Sequence, residues 1–422
     1  NSISDNNEGN PFPYYKYVFS TGDYIDSLSV KGVILDAEKS APDSFVSVML
    51  YEVDSTYTDS VIYKKPPKYI TNTLDSATTF SIDNVKAGTY RLVAIKDANS
   101  DNKFQQKTDK IGFHEHFINV PTDSLYTLKL FKEAINFNAV RPQLVSGEKI
   151  TFGYEGDYKD MKITLKSDVP EGFTSRITKD VKTDTLYYWY HPKLEMDSLV
   201  FNVSQQNFNK DFVVRLKNNK RDTLAISVSP SSTIGYQQDL KISGTTPLNT
   251  FDTSKITIIN KDSTQIAFTS LFDTISNTLS LKFEKKEDNF YNVNILPKTF
   301  VDIFGNANDT LNYRLTTPKL NTFGNVRVRL INATYPVIVQ MTNEIGEVKY
   351  EQYSTKPEVL DYLNVAPGKY KIRIIYDTNG NGKYDPGNYL KGIQPENSSF
   401  FEMKEPVRAD WSFEETIQLL KQ

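Results

Sequence analysis

Apolar and polar residues alternate along almost the whole chain. In "EKITFGY" (148–154), "TLYYWY" (185–190), "FVVRL" (212–216), "KITII" (255–259), "TLSLKF" (278–283) and "NVRVRLI" (325–331) the hydrophobic positions fall two apart. Clusters of Asn, Asp, Gly, Pro and Ser interrupt these runs about every 8–12 residues, the rhythm of short strands and turns. A period of two places successive side chains on opposite faces, so each run predicts a strand with one face toward a core. No stretch shows the three-to-four-residue spacing of an amphipathic helix. The closing "ADWSFEETIQLL" sets Trp411, Phe413 and Ile417 at even spacing and reads as a strand. The expected fold class is therefore all-β, with β-sandwich domains in tandem.

An internal repeat refines this. "NVKAGTYRLVAIKDANSDNKFQQKTDKIG" (84–112) aligns without gaps, at an offset of 280, onto "NVAPGKYKIRIIYDTNGNGKYDPGNYLKG" (364–392). Asn84, Val85, Gly88, Tyr90, Ile95, Asp97, Asn99, Lys103 and Gly112 all recur as identities. Two copies of one module thus bracket the chain. A weaker echo precedes each: "ISDNNEGN" (3–10) leads into "YYKYVFSTG", as "FVDIFGNANDTLNYRLTT" (300–317) leads into the second copy. The expected division is 1–24 as the end of a truncated Ig-like domain, 25–135 and 319–422 as the repeated modules, 136–224 as a sandwich of unassigned type, and 225–318 as an Ig-like domain.

The segments "AGTYRLVAIKDANSDNKF" and "PGKYKIRIIYDTNGNGKYDPGNYLKGIQPE" resemble the prealbumin-like (carboxypeptidase-regulatory-like) β-sandwich, in which a G-x-Y-x-hydrophobic strand follows a turn. The stretch 247–317, "PLNTFDTSKITIINKDSTQIAF" through "FVDIFGNANDTLNYRLTT", resembles the bacterial Ig-like domain of S-layer proteins. Together they are similar to Ig-like-domain lipoproteins of Bacteroidota. That resemblance implies an extracytoplasmic protein held at the outer membrane by an N-terminal lipid, with envelope proteins, such as those of an outer-membrane complex, as partners. Asp-Ser/Thr-hydrophobic triplets, among them Asp123-Ser124-Leu125, Asp197-Ser198-Leu199 and Asp309-Thr310-Leu311, are similar to an O-glycosylation signal of that phylum. They read equally as turn endings that start a strand.

Composition sets outer limits. A chain of 422 residues exceeds one hydrophobic core. Cysteine is absent, which rules out disulfides, thiolate catalysis and zinc–cysteine sites. A net charge of −3 and a pI near 5.8 leave no basic footprint for nucleic acid. Mean hydropathy is −0.47, and no apolar run approaches the roughly 18 residues of a membrane-spanning helix. The sequence opens on Asn1 without Met or a signal-peptide pattern, and is read as a fragment whose targeting segment has been removed.

Candidate chemistry is sparse. A Ca²⁺ loop of EF-hand type takes side-chain oxygens from positions 1, 3 and 5, a carbonyl from 7 and later carboxylates, with glycine at 6. "YDTNGNGKYDPGN" supplies Asp377, Asn379, Asn381, the Lys383 carbonyl and Asp385, with Gly382 at the bend and Asn388 at the last ligand position. The first copy supplies Asp97, Asn99, Asp101 and the Lys103 carbonyl, with Asn102 at the bend, Gln105 in place of the aspartate, and Asp109 one residue late. Weak, structural Ca²⁺ binding is one reading and a polar hairpin tip is the other. "HEH" (114–116) is expected to place two imidazoles on one face of an exposed strand. "TLYYWYHP" puts Tyr187, Trp189 and His191 on one strand face; if exposed, they form an aromatic platform for a glycan. No nucleophile elbow, phosphate loop or histidine-based triad is present, so a non-enzymatic scaffold is expected, with a glycan-binding accessory protein as the alternative.

Overall fold

The computed structural model describes residues 6–10, 23–74 and 77–419. The lead-in "YYKYVFSTG" and most of the expected stump at 1–24 lie outside the described residues. The chain is all-β: among the described residues helix is limited to Val61–Lys64 and the 3-10 turns Thr253–Lys255 and Leu320–Thr322. None of these is long enough to cross a membrane. The closing segment is a strand, Ser412–Gln418. The chain divides into two compact units, one of Asn1–Ala134, Thr334–Lys356 and Ile372–Phe401, the other of Ile135–Ala333, Pro357–Lys371 and Glu402–Gln422.

In the first unit, Thr79–Val85, Leu28–Asp36 and Leu125–Leu130 form one sheet, the last two strands running parallel. Tyr69–Asn72, Ser47–Glu52, Gly88–Lys96 and Lys110–Phe113 form a second, with Ile118–Val120 beside Gly88–Lys96. Val30, Ile34, Val48, Leu50, Tyr90, Leu92 and Leu128 fill the space between the sheets. The second sheet is also covered on its other face, where Met49, Tyr51, Val93 and Ile95 pack with Phe104, Phe113, Phe131 and Tyr389. Burial on both faces explains why "VMLY" and "LVAI" are continuous apolar runs. The same unit holds a sheet of Val348–Ser354, Val337–Thr342, Lys371–Tyr376 and Ser398–Glu402, which follows the order of that second sheet.

The second unit contains Leu360–Val365, Gly324–Ile331 and Ser412–Gln418, again with the last two running parallel. The repeat therefore extends through the strand order of both modules, well past the thirty residues visible in sequence. The unit also holds two further pairs of sheets. Gln143–Ser146, Lys149–Glu155, Thr185–His191 and Thr174–Lys179 face a sheet of Lys162–Leu165, Ser198–Gln205 and Phe208–Arg215 around Phe152, Tyr188 and Phe201. Ile226–Ser229, Leu240–Gly244, Thr278–Phe283 and Phe268–Asp273 share a core with Ile256–Asn260, Asn289–Ile295 and Leu311–Thr317, around Leu279, Tyr291 and Val293.

Candidate functional site

The repeated residues occupy repeated roles. Asn84 and Asn364, each next to the last residue of a strand, take left-handed φ values of 61° and 56°. Asparagine tolerates that region better than most side chains. Six residues on, the Tyr90 hydroxyl donates to the Lys86 carbonyl at 2.9 Å and the Tyr370 hydroxyl to the Ala366 carbonyl at 2.8 Å. Gly88 and Gly368 lie under these rings, where a Cβ would stand 3.5 and 3.6 Å from ring atoms.

Each module then enters its Asx-rich loop. Asp377, 1% exposed, accepts the N–H groups of Gly380 (2.8 Å), Asn381 (3.1 Å) and Gly382 (2.7 Å). Burial pushes its carboxyl upward, but these N–H groups and the Tyr353 hydroxyl hold it below the usual range. Asp97 accepts Asn99, Ser100 and Asn102 in the same way, at 2.7–2.9 Å. Asp385 Oδ2 meets the amides of Asn379 (2.5 Å) and Asn381 (2.7 Å). In the first loop Gln105 takes that place, bonded to Asp101 at 2.7 Å and to the Asn99 amide.

A second carboxylate closes each loop from behind, and sequence spacing misplaced it. Asp109, fully buried, accepts Ala98 N–H (3.1 Å) and Gln105 N–H (2.8 Å). Glu396, 7% exposed, accepts the equivalent pair, Thr378 N–H (2.8 Å) and Asp385 N–H (3.1 Å). The gapless alignment therefore holds through Asp385 and fails beyond it. Gly112 lies within Lys110–Phe113, whereas Gly392 is left-handed in a turn closed onto the Tyr389 carbonyl. Asn388 is not at a ligand position; it pairs with Ile393. The donors of the second loop, rich in amide and backbone oxygen, suit a hard cation held weakly. Among the described residues no three His, Cys, Asp or Glu side chains converge as a metal-binding group.

The extra residues of the second copy have a use. The loop is not a free tip: Tyr389, 3% exposed, meets Phe113 edge-on at 5.2 Å, and Gly387 lies against the Phe131 ring. Tyr389 N–H donates to Glu133 at 2.5 Å. Burial raises the Glu133 carboxyl, an effect offset in part by Tyr389 N–H and the Gln106 amide. Arg373, 8% exposed, reaches the Ala37 carbonyl at 3.2 Å and lies over the Tyr384 ring at 4.9 Å. Within the first unit, then, the second loop is part of the contact between the repeated modules.

The strand Thr185–His191 corrects another expectation. Leu186, Tyr188 and Tyr190 face the core as the alternation requires, but the opposite face is not an exposed platform. Trp189 is 3% exposed, and its indole N–H donates to the Thr178 hydroxyl at 2.9 Å. Phe304 covers it, 6.4 Å from Trp189, 6.0 Å from His191, and 4.4 Å under the Arg221 guanidinium. Arg221 is fixed by a two-pronged bond to buried Glu148, at 2.7 and 2.8 Å. Lys149 lies over Tyr187 and Trp189 at 4.2 and 4.7 Å. Phe304 sits on a turn held by Asp302, which accepts the Phe304 and Asn306 N–H groups. Its neighbourhood is where the sandwich built from strands between Gln143 and Arg215 meets that built from strands between Ile226 and Thr317, as the bond from Lys179 N–H to the Ile275 carbonyl (2.7 Å) also records.

"HEH" is not in a strand; it connects Lys110–Phe113 to Ile118–Val120, with His114 Nδ1 on the His116 carbonyl at 2.9 Å. Leu125, Ser198 and Leu311 each begin a strand, which fits the turn-ending role of their triplets.

No family model matches the chain, and neither does any curated protein. Solved structures do. Surface layer protein SbsC, domains 4–9, matches 84% of this chain and 57% of its own at 9% identity and a TM-score of 0.22. SGBP-B of the Bacteroides ovatus mixed-linkage glucan utilization locus, solved with a mixed-linkage heptasaccharide, matches 93% and 97% at 11% identity and 0.19. The titin I-band fragment I67–I69 matches 66% and 98% at 14% identity and 0.15. These neighbours are tandem Ig-like and β-sandwich proteins. TM-scores this low carry no argument.

Proposed function

We propose that the protein is a non-enzymatic, extracytoplasmic scaffold of tandem β-sandwiches. It would be carried at a bacterial outer membrane by an N-terminal lipid and serve as an accessory subunit of an envelope assembly or secretion complex. One observation carries the reading: the side chains richest in chemical promise join domains to one another. Trp189, Lys149, Arg221 and Glu148 are engaged where Phe304 docks, and Tyr389, Glu133 and Arg373 where the repeated modules meet. Such packing suits a body that holds partners at fixed spacing and binds them by surface burial.

In-cell cross-linking followed by affinity isolation from envelope fractions tests this. The expected result is a stoichiometric envelope protein captured together with the chain. Isolation of the chain alone, or substrate turnover by the purified chain, would overturn it. The Asx-rich loops add a second element: Ca²⁺ held weakly by Asp377, Asn379, Asn381, the Lys383 carbonyl and Asp385, and by the corresponding Asp97, Asn99, Asp101 and Lys103 carbonyl. It is supported by the convergence of the Asn379, Asn381 and Asp385 side chains.

A further inference from the structure

Within the first unit, between the repeated modules, lies a cleft of ≈ 400 Å³. Thr127 and Lys129 line one wall, two residues apart and so on the same face of Leu125–Leu130. Gln394 and Asn397 line the other, and His114 and Glu115 also border it, with Phe113 and Pro395 as its apolar part. The walls are fixed. Gly112 lets its strand approach Leu125–Leu130 so closely that a Cβ there would stand 2.8 Å from the Lys129 carbonyl. The Gln394 amide donates to the Phe113 carbonyl at 3.0 Å.

Lys129 is the unusual group. Its ammonium is half-buried and bonds to the Asn397 amide oxygen at 2.5 Å, and no carboxylate is within ion-pair distance of it among the described residues. Burial without a counter-charge disfavours the charged form and lowers its pKa. An anion entering the cleft would relieve that cost. Beside it stand groups suited to hydroxyls. His114 gives Nδ1 to the His116 carbonyl, so its Nε2 is an acceptor with no partner among the described residues. Thr127 offers a hydroxyl, and the Gln394 amide keeps its oxygen. Glu115 is exposed, and its carbonyl holds Arg91 at 3.2 Å.

We infer that this cleft binds a sugar acid, its carboxylate on Lys129 and its hydroxyls on Thr127, His114 Nε2 and the amides of Asn397 and Gln394. The assignment does not depend on the scaffold reading.

Calorimetric titration of the full chain with sodium glucuronate tests it, with glucose and acetate as comparators. Glucuronate should bind saturably with a millimolar dissociation constant, and both comparators more weakly. Lys129→Met should weaken binding by about tenfold or more, the effect of losing one charge-assisted contact, at an unchanged melting temperature. Lys129→Arg should retain it. Absence of saturable binding in the tens of millimolar, or equal binding by Lys129→Met, would overturn the proposal. Acetate binding as tightly as glucuronate would overturn the sugar, and glucose doing so would overturn the acid. Should Lys129→Met fail to fold, amide shifts at Thr127 and Asn397 on glucuronate addition decide; their absence overturns it.

Discussion

Phe304→Ala is the sharpest test of how the second unit is joined. The half-buried ring shields roughly 100 Å² of apolar surface, worth ~2.5 kcal/mol at about 25 cal/mol per Å². The guanidinium of Arg221 above it adds about 0.5–1 kcal/mol. Residual burial in the unfolded chain trims the sum by about a fifth. The expected loss is therefore about 2–3 kcal/mol, concentrated where Phe304 meets Trp189 and His191. Trp189 reports on that place directly. The chain has two tryptophans, and Trp411 is 55% exposed, so a Trp411→Phe background isolates the buried indole. In that background Phe304→Ala should shift Trp189 emission to the red, raise its quenching by acrylamide and lower the urea midpoint of its transition. Asp302 keeps the turn itself in place through its bonds to the Phe304 and Asn306 N–H groups, so a folding failure of the turn is not the expected cause. Unchanged emission with a stability loss under about 0.5 kcal/mol, the range of an ordinary surface substitution, would refute the reasoning.

Four more outcomes are expected. Tyr389→Ala empties a fully packed position against Phe113 and should cost the first unit about 3–5 kcal/mol, read by calorimetry; loop 386–397 becoming no more sensitive to protease would count against it. Asp377→Ala orphans the N–H groups of Gly380, Asn381 and Gly382 and should cost about 2–4 kcal/mol, with faster hydrogen exchange at those amides; millimolar Ca²⁺ should raise the melting temperature of the native chain but not of Asp385→Ala, and a melt indifferent to Ca²⁺ and EDTA would leave polar hairpins. Asp180 is held at about 2 by the Tyr187 hydroxyl first, and then by the N–H groups of Lys182 and Thr183, while burial and Asp180 push Tyr187 to about 12. A depressed carboxyl stabilises above its unfolded pKa near 4, and that contribution disappears as pH falls from about 4 to about 2. Tyr187→Phe should move the Asp180 titration upward in NMR; an unmoved titration would show that the hydroxyl is not its cause.

What could be read in the sequence depended on whether one strand's own environment settled it. Period-two runs such as Lys149–Glu155 and Thr278–Phe283 were legible because one face meets a core and the other is more open. The repeat was legible for a related reason. Asn84 and Asn364 answer to a backbone angle, and Tyr90 and Tyr370 to a carbonyl four residues back, so both constraints are local. Asp109 and Glu396 answer to the same two N–H groups of their loops, yet stand twelve and nineteen residues after the first aspartate, because the second loop detours to reach Phe113 and Phe131. Spacing is blind to a detour whose reason lies in another module. Trp189 fails in the same way: alternation assigned it to the face away from its own core, and only the turn carrying Phe304, more than a hundred residues on, decides that this face is dry. An aromatic residue on the far face of a sandwich strand is thus ambiguous in sequence between a ligand platform and a domain junction. In a chain of tandem sandwiches each junction must bury such a face, so the junction is the better first expectation.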